Sequence, residues 1–144
     1  MAHSQQHWRV RDKRRLLLRM MELLAGNAHV SFEGNLDGLT FSALPGISET
    51  ETEALKRNTL WPRQDFIIVP LEESTIRPMI SALGGNVPKS IIHVQIEQAG
   101  RLQFGAYDNF HPGCMSFGDA VSPVVLENLV SDGVLELVTS QLRS

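Results

Sequence analysis

Residues 90–122, SIIHVQIEQAGRLQFGAYDNFHPGCMSFGDAVS, carry the clearest structural signal in the chain. In the first half of this stretch apolar residues alternate with polar ones in two runs, and Gln98-Ala99-Gly100 lies between the runs. Alternation with a period of two indicates strands with one buried face, and a short connection that contains glycine indicates a hairpin. From Tyr107 onward the pattern is lost. We therefore expect a β-hairpin followed by a long irregular loop.

Similar patterns predict helices and strands on both sides of this hairpin. Apolar residues at helical spacing predict helices over about 11–25 and 75–83, and Ser122-Pro123 is typical of the start of another. Ser48 and Glu51 have the spacing of a capping box, which predicts a helix that continues to about Asn58. Short apolar or alternating runs predict further strands at 28–33, 39–41, 66–69 and 134–138.

The predicted elements follow the same order twice, namely helix, strand, strand, helix, strand, over residues 11–70 and 74–141. The segment HVSFE at 29–33 also resembles HVQIE at 93–97. We therefore expect a single α+β domain, residues 1–144, built from two similar αββαβ halves. Its sheets should be mostly antiparallel, with helices packed on one face. In each half the histidine, His29 or His93, belongs to the polar strand face and is expected to point to solvent.

The composition is that of an ordinary globular domain. The chain has 144 residues, of which 42% are hydrophobic and 20% are charged, so one buried core is expected. A single cysteine excludes an intramolecular disulfide framework and a cysteine zinc cluster, and it suits a reducing compartment. No apolar run is long enough to cross a membrane. These features predict a cytoplasmic protein with no cofactor.

Charge is distributed unevenly along the chain. Residues 1–24 contain six basic and two acidic residues, whereas residues 25–144 contain seven basic and fourteen acidic residues. A net charge of −3 does not favour nucleic-acid binding, although the basic first helix leaves a contact with nucleic acid or an acidic membrane surface open. The acidic remainder suits a basic protein partner. A homo-oligomer is also left open.

The loop after the hairpin is the candidate site. It is about twice as long as the corresponding connection in the first half, and long loops in compact domains are more often functional than connective. Aromatic side chains among polar ones are typical of the centre of a protein interface. We therefore predict a partner-binding surface composed of Tyr107, Asp108, Asn109, Phe110, His111 and Asp119.

The same loop offers an enzymatic alternative. Cys114 could act as a nucleophile with His111 as its base and Asp108 or Asp119 as the group that orients the base, which would make the protein a hydrolase or an acyltransferase. However, only Pro112-Gly113 separates the first two residues, and thiol enzymes bring such partners from distant segments. The spacing also resembles a pair of metal ligands, but no second pair accompanies it, so no metal site is predicted.

The sequence thus favours a non-enzymatic module that binds another protein. An inhibitor or immunity protein that neutralises a toxin is one concrete form, because such proteins are small, mildly acidic and without catalytic groups. The acidic character would suit a basic toxin as the partner.

Overall fold

The computed structural model describes residues 6–139, which form three α-helices and two antiparallel sheets. The helices are α1 (Lys13–Leu24), α2 (Glu73–Ala82) and α3 (Pro123–Ser131). The strands are β1 (Gln6–Val10), β2 (Ala28–Gly34), β3 (Asp65–Leu71), β4 (Ile91–Gln98), β5 (Arg101–Ala106), β6 (Met115–Phe117) and β7 (Leu135–Thr139). The predicted α+β class is confirmed. Within residues 6–139, no helix is long and apolar enough to span a bilayer.

Helix α1 follows directly from its sequence. The Asp12 side chain accepts a hydrogen bond from the backbone N–H of Arg15, so one of the unpaired N–H groups at the helix start is satisfied. The helix ends before Gly26, whose φ of +103° lies in the region that favours glycine. Its apolar side chains, spaced three and four residues apart, are all buried: Leu16, Leu17, Met20, Met21 and Leu24.

The larger sheet has the strand order β3-β2-β4-β5-β6, with every neighbouring pair antiparallel. Strands β2 and β4 form its centre, so the two halves of the chain share one sheet. Helices α1 and α2 pack on one face, where their buried side chains form a single core with Val30, Phe32 and Val94. The opposite face carries polar side chains and faces the long connection between β2 and β3.

A second, two-stranded sheet of β1 and β7 joins the two ends of the described chain. Arg9 on β1 pairs with Glu136 on β7 at 2.7 Å. Trp8 packs edge-on against Phe117 on β6, with ring centroids 6.2 Å apart. The small sheet is thereby attached to the edge of the larger one.

Two elements predicted for the first half are absent from the structure of residues 6–139. Residues 39–41 do not form a strand, because β3 and β4 occupy both sides of β2; Phe41 instead starts a short 3₁₀ turn and stacks on Phe32. Residues 48–58 do not form a helix. Ser48 pairs with Ile68 as an isolated antiparallel bridge, and its hydroxyl accepts from the N–H of Thr50 instead of capping a helix.

The proposed duplication into two αββαβ halves is therefore not confirmed. The part of the chain from α2 to β7 does contain helix, two strands, helix and strand, with β6 as an addition. The part from α1 to β3 contains one helix and two strands, and residues 35–64 between the strands are largely irregular.

Strand β3 lies at an edge of the larger sheet, and its outer side is largely occupied. The backbones of Ile68 and Ser48 exchange two hydrogen bonds, of 2.7 and 3.0 Å. Two residues further on, Pro70 has no N–H to offer, and its carbonyl accepts from the Thr75 hydroxyl. A strand edge arranged in this way has few free groups with which to pair.

Candidate protein-interaction surface

The polar face of the larger sheet is organised by the central strands. The two similar segments, HVSFE on β2 and HVQIE on β4, run antiparallel and lie side by side. Three cross-strand pairs result: His29 with Glu97, Ser31 with Gln95, and Glu33 with His93. The expectation that this face is open to solvent is only partly met, because Ser31, Glu33, Gln95 and Glu97 are buried and both histidines are half-buried.

The connection between β2 and β3 covers this face. Leu55 is fully buried against Phe66 and Ile68, which lie on the same side of β3. The Gln95 amide donates to the Lys56 carbonyl at 2.9 Å and to the Ser31 hydroxyl at 3.0 Å. Contacts with the sheet therefore hold residues 55–59, and no helix forms there.

The contact between Glu33 and this connection involves a buried charged group. Its carboxylate is 1% exposed and accepts from two consecutive backbone N–H groups, those of Asn58 at 2.8 Å and Thr59 at 3.1 Å. Within residues 6–139, no ion pair links this carboxylate to a cation. A buried carboxylate is tolerated only when hydrogen bonds compensate for its lost hydration, so the pairing with residues 58 and 59 is required by the fold.

His93 connects the same segment to the loop after β5. Its Nδ1 accepts from the backbone N–H of Asp108 at 3.1 Å, and its Nε2 lies 2.8 Å from the Thr59 hydroxyl. Because Nδ1 is an acceptor, the hydrogen-bond network assigns the ring proton to Nε2, which donates to Thr59. Thr59 and Asp108 are thus held on the two sides of one imidazole ring.

Immediately after Thr59 the chain presents two large apolar side chains to solvent. Leu60 is 92% exposed and Trp61 is 86% exposed. Neither residue is predicted as a surface residue from the sequence, because apolar side chains are by default assigned to the core. The available signal was Trp61-Pro62 in a segment without strand or helix periodicity.

The loop after β5 contains an unusual backbone feature. Asp108, Asn109 and Phe110 are three consecutive non-glycine residues with positive φ, at 52°, 57° and 62°. Left-handed conformations cost roughly 1–2 kcal/mol per L-residue, so other contacts must hold this turn. They include the bond from Asp108 to His93, and the Asn109 amide that donates to the carbonyls of Lys89 and Ile91.

The predicted site residues differ in their surroundings. Asp108 and His111 are exposed, whereas Phe110 is 4% exposed and belongs to the core, with the Lys13 ammonium 5.5 Å from its ring centroid. Asn109 is half-buried and serves the turn described above. Phe110 is therefore an internal anchor of the loop, and its ring is not on the surface.

Tyr107 and Asp119 are both engaged with the sheet. The Tyr107 ring lies over Gly105, and its hydroxyl donates to Gln95 Oε1 at 3.2 Å. Burial raises the pKa of Tyr107 above its ordinary value of 10.0. Asp119 accepts from the Gln103 amide and lies 3.5 Å from Arg101, and these two contacts hold its pKa below the ordinary value. Asp119 lies at the far end of the loop.

The residues of the enzymatic alternative are close in sequence, and the backbone N–H of Cys114 donates to the His111 carbonyl at 2.8 Å, but their side chains are not hydrogen-bonded to one another. His111 Nδ1 accepts from the backbone N–H of Gly113, two residues away. Within residues 6–139, the thiol of Cys114 and the carboxylate of Asp108 form no hydrogen bond with His111. The same part of the chain contains no cluster of three or more residues able to hold a metal ion.

A cleft of about 1070 Å³ lies on the other side of the sheet, between α1 and α2. Its apolar floor includes Ile76 and Ile80, which are already buried in the core, and its rim carries both Arg14 and Glu73. Little apolar surface remains free there, so this cleft is a weaker candidate than the exposed pair Leu60 and Trp61.

Comparison with known proteins gives no relative: no protein-family model, curated protein or solved structure matches this chain.

Proposed function

We propose that the protein is a non-enzymatic module that binds another protein through one continuous surface. This recognition surface consists of Leu60 and Trp61 from the connection before β3, and Tyr107, Asp108 and His111 from the loop after β5. His93 lies between the two segments and contacts both of them.

The observation that supports the proposal most strongly is the exposure of Leu60 and Trp61 beside a buried carboxylate. Leaving an indole 86% exposed loses the hydrophobic stabilisation that its burial would give. The backbone N–H groups of Asn58 and Thr59, three and two residues before it, nevertheless donate to the Glu33 carboxylate. A fixed backbone that presents free apolar side chains has little conformational entropy to lose when a partner covers them.

The composition of the surface also supports binding to a protein. Tryptophan and tyrosine are enriched among the residues that dominate interface energetics, and polar groups around them exclude water and set orientation. Asp108 and His111 provide such polar groups on the exposed side of the loop. In this proposal Leu60 and Trp61 are the anchors, and Phe110 supports the surface from inside.

In its most specific form, the proposal is an inhibitor or immunity protein that covers a toxin. The support for this form is the excess of acidic residues after residue 24, which suits a basic partner. Recovery of a basic enzyme with the protein from the native organism would support this form. A partner without a basic surface would contradict it while leaving the binding module itself intact.

The decisive experiment uses a pair of variants. Leu60→Ala combined with Trp61→Ala removes the anchors, and Val124→Ala removes another exposed apolar side chain, 61% exposed, from α3. Both proteins are immobilised and tested for specific capture from a native extract, and the captured partner is then titrated against each purified variant. We expect the double variant to lose capture and Val124→Ala to retain it. Equal affinity of the two variants would refute the proposed surface.

A further inference from the structure

Two of the cross-strand pairs at the centre of the sheet have the same composition but different arrangements. His29 and Glu97 contact each other directly, with Nδ1 2.5 Å from Oε1. Glu33 and His93 lie opposite each other in the same ladder, four residues along. Directly opposite side chains on antiparallel strands have Cβ atoms about 4.5–5.5 Å apart, so a direct contact is within reach of this pair as well.

In the second pair, the segment that carries the recognition surface intervenes. The N–H and hydroxyl of Thr59 bind the Glu33 carboxylate and the His93 ring respectively, so Thr59 lies between the two side chains. Asp108 occupies the other ring nitrogen. The pair His29 and Glu97 therefore displays, in the same molecule, the arrangement that Glu33 and His93 would adopt if residues 58–59 were displaced.

The arrangement observed at His93 requires a neutral ring. Its Nδ1 accepts from Asp108, and an imidazolium, which has N–H groups at both nitrogens, cannot accept there. Histidine is the side chain whose ordinary titration lies between about pH 5 and pH 8. Proton uptake by His93 would thus break its bond with Asp108 and create a strong donor opposite Glu33.

We infer that Glu33 and His93 form a proton-operated latch for the recognition surface. With His93 neutral, Glu33 holds the backbone of Asn58 and Thr59, and His93 holds Asp108, so both segments are fixed. With His93 protonated, Glu33 pairs with His93 as Glu97 pairs with His29, and both segments are released. This inference rests on the proposed function for its biological meaning, since it assigns a regulation to the same surface.

Charged and titratable groups approach His93 from several elements. From β2, Glu33 lies opposite His93 in the antiparallel ladder. From the loop after β5, Asp108 binds Nδ1 through its backbone N–H, and the half-buried Tyr107 ring has its centroid 5.6 Å from that of His93. In the connection before β3, Arg57, two residues before Thr59, is paired with Glu51 and stacked over Phe66.

The left-handed turn favours release of the loop once its contacts are broken. Its three strained residues, 108–110, are held in part by the bond from Asp108 to His93. Residues in sparsely populated backbone regions persist only where their surroundings impose them. Removal of this bond therefore favours relaxation of the turn, and the effect adds to the loss of the Glu33 bonds on the other side.

The test is a pH titration of the unliganded protein by NMR, from about pH 8 to pH 5. We expect the backbone amide resonances of Asn58, Thr59 and Asp108 to shift together, with the same midpoint as the ring of His93. The protection of these amides from hydrogen exchange, corrected for intrinsic rates, should also fall. The expected decrease is on the order of tenfold for each factor of ten by which His93 binds its proton more tightly in the released arrangement than in the fixed one. Amides that stay unchanged while His93 titrates would overturn the latch.

Two matched variants complete the test. His93→Gln keeps a donor and an acceptor but cannot be protonated, so the joint shift of the three amides should disappear. His29→Gln removes the histidine of the sister pair and should leave that shift intact; its loss there would overturn the inference. Because no partner is present in the sample, failure of the latch leaves the binding proposal standing, and failure of the binding test leaves the latch standing.

Discussion

The two aromatic side chains Trp61 and Phe110 provide the sharpest prediction, because they belong to neighbouring segments and should respond in opposite ways to truncation. About one seventh of the Trp61 surface is buried, which is about 35 Å² of roughly 250 Å². At about 25 cal/mol per Å², Trp61→Ala should lower the free energy of unfolding by less than about 1 kcal/mol. Phe110 is 4% exposed, and Phe110→Ala should cost about 3–5 kcal/mol.

Binding should show the reverse order. If Trp61 is an anchor of the interface, Trp61→Ala should weaken partner affinity by more than about 2 kcal/mol, which is roughly 30-fold. Phe110 does not reach the surface, so any effect of Phe110→Ala on affinity should be indirect and should disappear where the variant is fully folded. Replacing it by Leu keeps the core filled and should preserve both stability and affinity to within about 1.5 kcal/mol.

The assay combines urea unfolding, followed by far-ultraviolet circular dichroism, with calorimetric titration of the captured partner. Two results would refute the reasoning. One is a loss of more than about 2 kcal/mol of stability in Trp61→Ala, since a side chain this exposed cannot carry it. The other is unchanged affinity in a folded Trp61→Ala protein, which would remove the indole from the interface.

Three further predictions concern the polar face of the sheet. Glu33→Gln should lower the free energy of unfolding by about 1.5–3 kcal/mol in urea melts, because a neutral amide cannot accept from both Asn58 and Thr59; a change below about 0.5 kcal/mol would contradict this. Tyr107 is the only tyrosine, and its pKa is raised by burial, so the tyrosinate absorbance of the folded protein should rise above pH 10.0, later than in urea. Since the unfolded chain then ionises first, stability should fall as the pH rises past 10.0, and Tyr107→Phe should remove that fall. Gly105→Ala places a Cβ 2.5 Å from the Tyr107 hydroxyl and should move the tyrosinate midpoint, whereas Gly113→Ala, whose nearest contact is 3.6 Å, should not.

Elements with strong local periodicity could be predicted from the sequence. Helix α1, the hairpin of β4 and β5, helix α3 and strand β7 all correspond to predicted segments. In α1 the apolar positions are also the buried ones, so local preference and tertiary packing agree there. The predictions were wrong where a contact with a distant part of the chain overrode the local sequence pattern.

Ser48 is the clearest failure. Its spacing from Glu51 fits a capping box, but Ser48 lies opposite Ile68, twenty residues later, and pairs with that strand instead. The choice depends on the position of β3, which no local pattern around residue 48 encodes. Glu33 is a related case, since an alternating strand predicts an exposed carboxylate and gives no indication that residues 58–59 fold over it.

The surroundings of the candidate residues could be predicted only in part. The sequence singled out the loop after β5 by its length and composition, and Asp108 and His111 do lie on its exposed side. The sequence predicts both Phe110 and Tyr107 as surface residues, because burial of an aromatic residue in a loop cannot be inferred from spacing; in the structure Phe110 is 4% exposed. The exposure of Leu60 and Trp61 could not be foreseen either, since it results from how residues 55–59 attach to the sheet.

The bridge between Ser48 and Ile68, together with Pro70, has a consequence for assembly. Extended peptides are often captured by continuing a sheet from its rim, and misfolded chains polymerise by the same route. At the outer edge of β3 this backbone pairing is obstructed. A partner or second copy that binds this side of the molecule therefore has to do so through side-chain contacts. Replacing Ser48 with proline would remove the N–H that binds the Ile68 carbonyl and would reopen part of this edge.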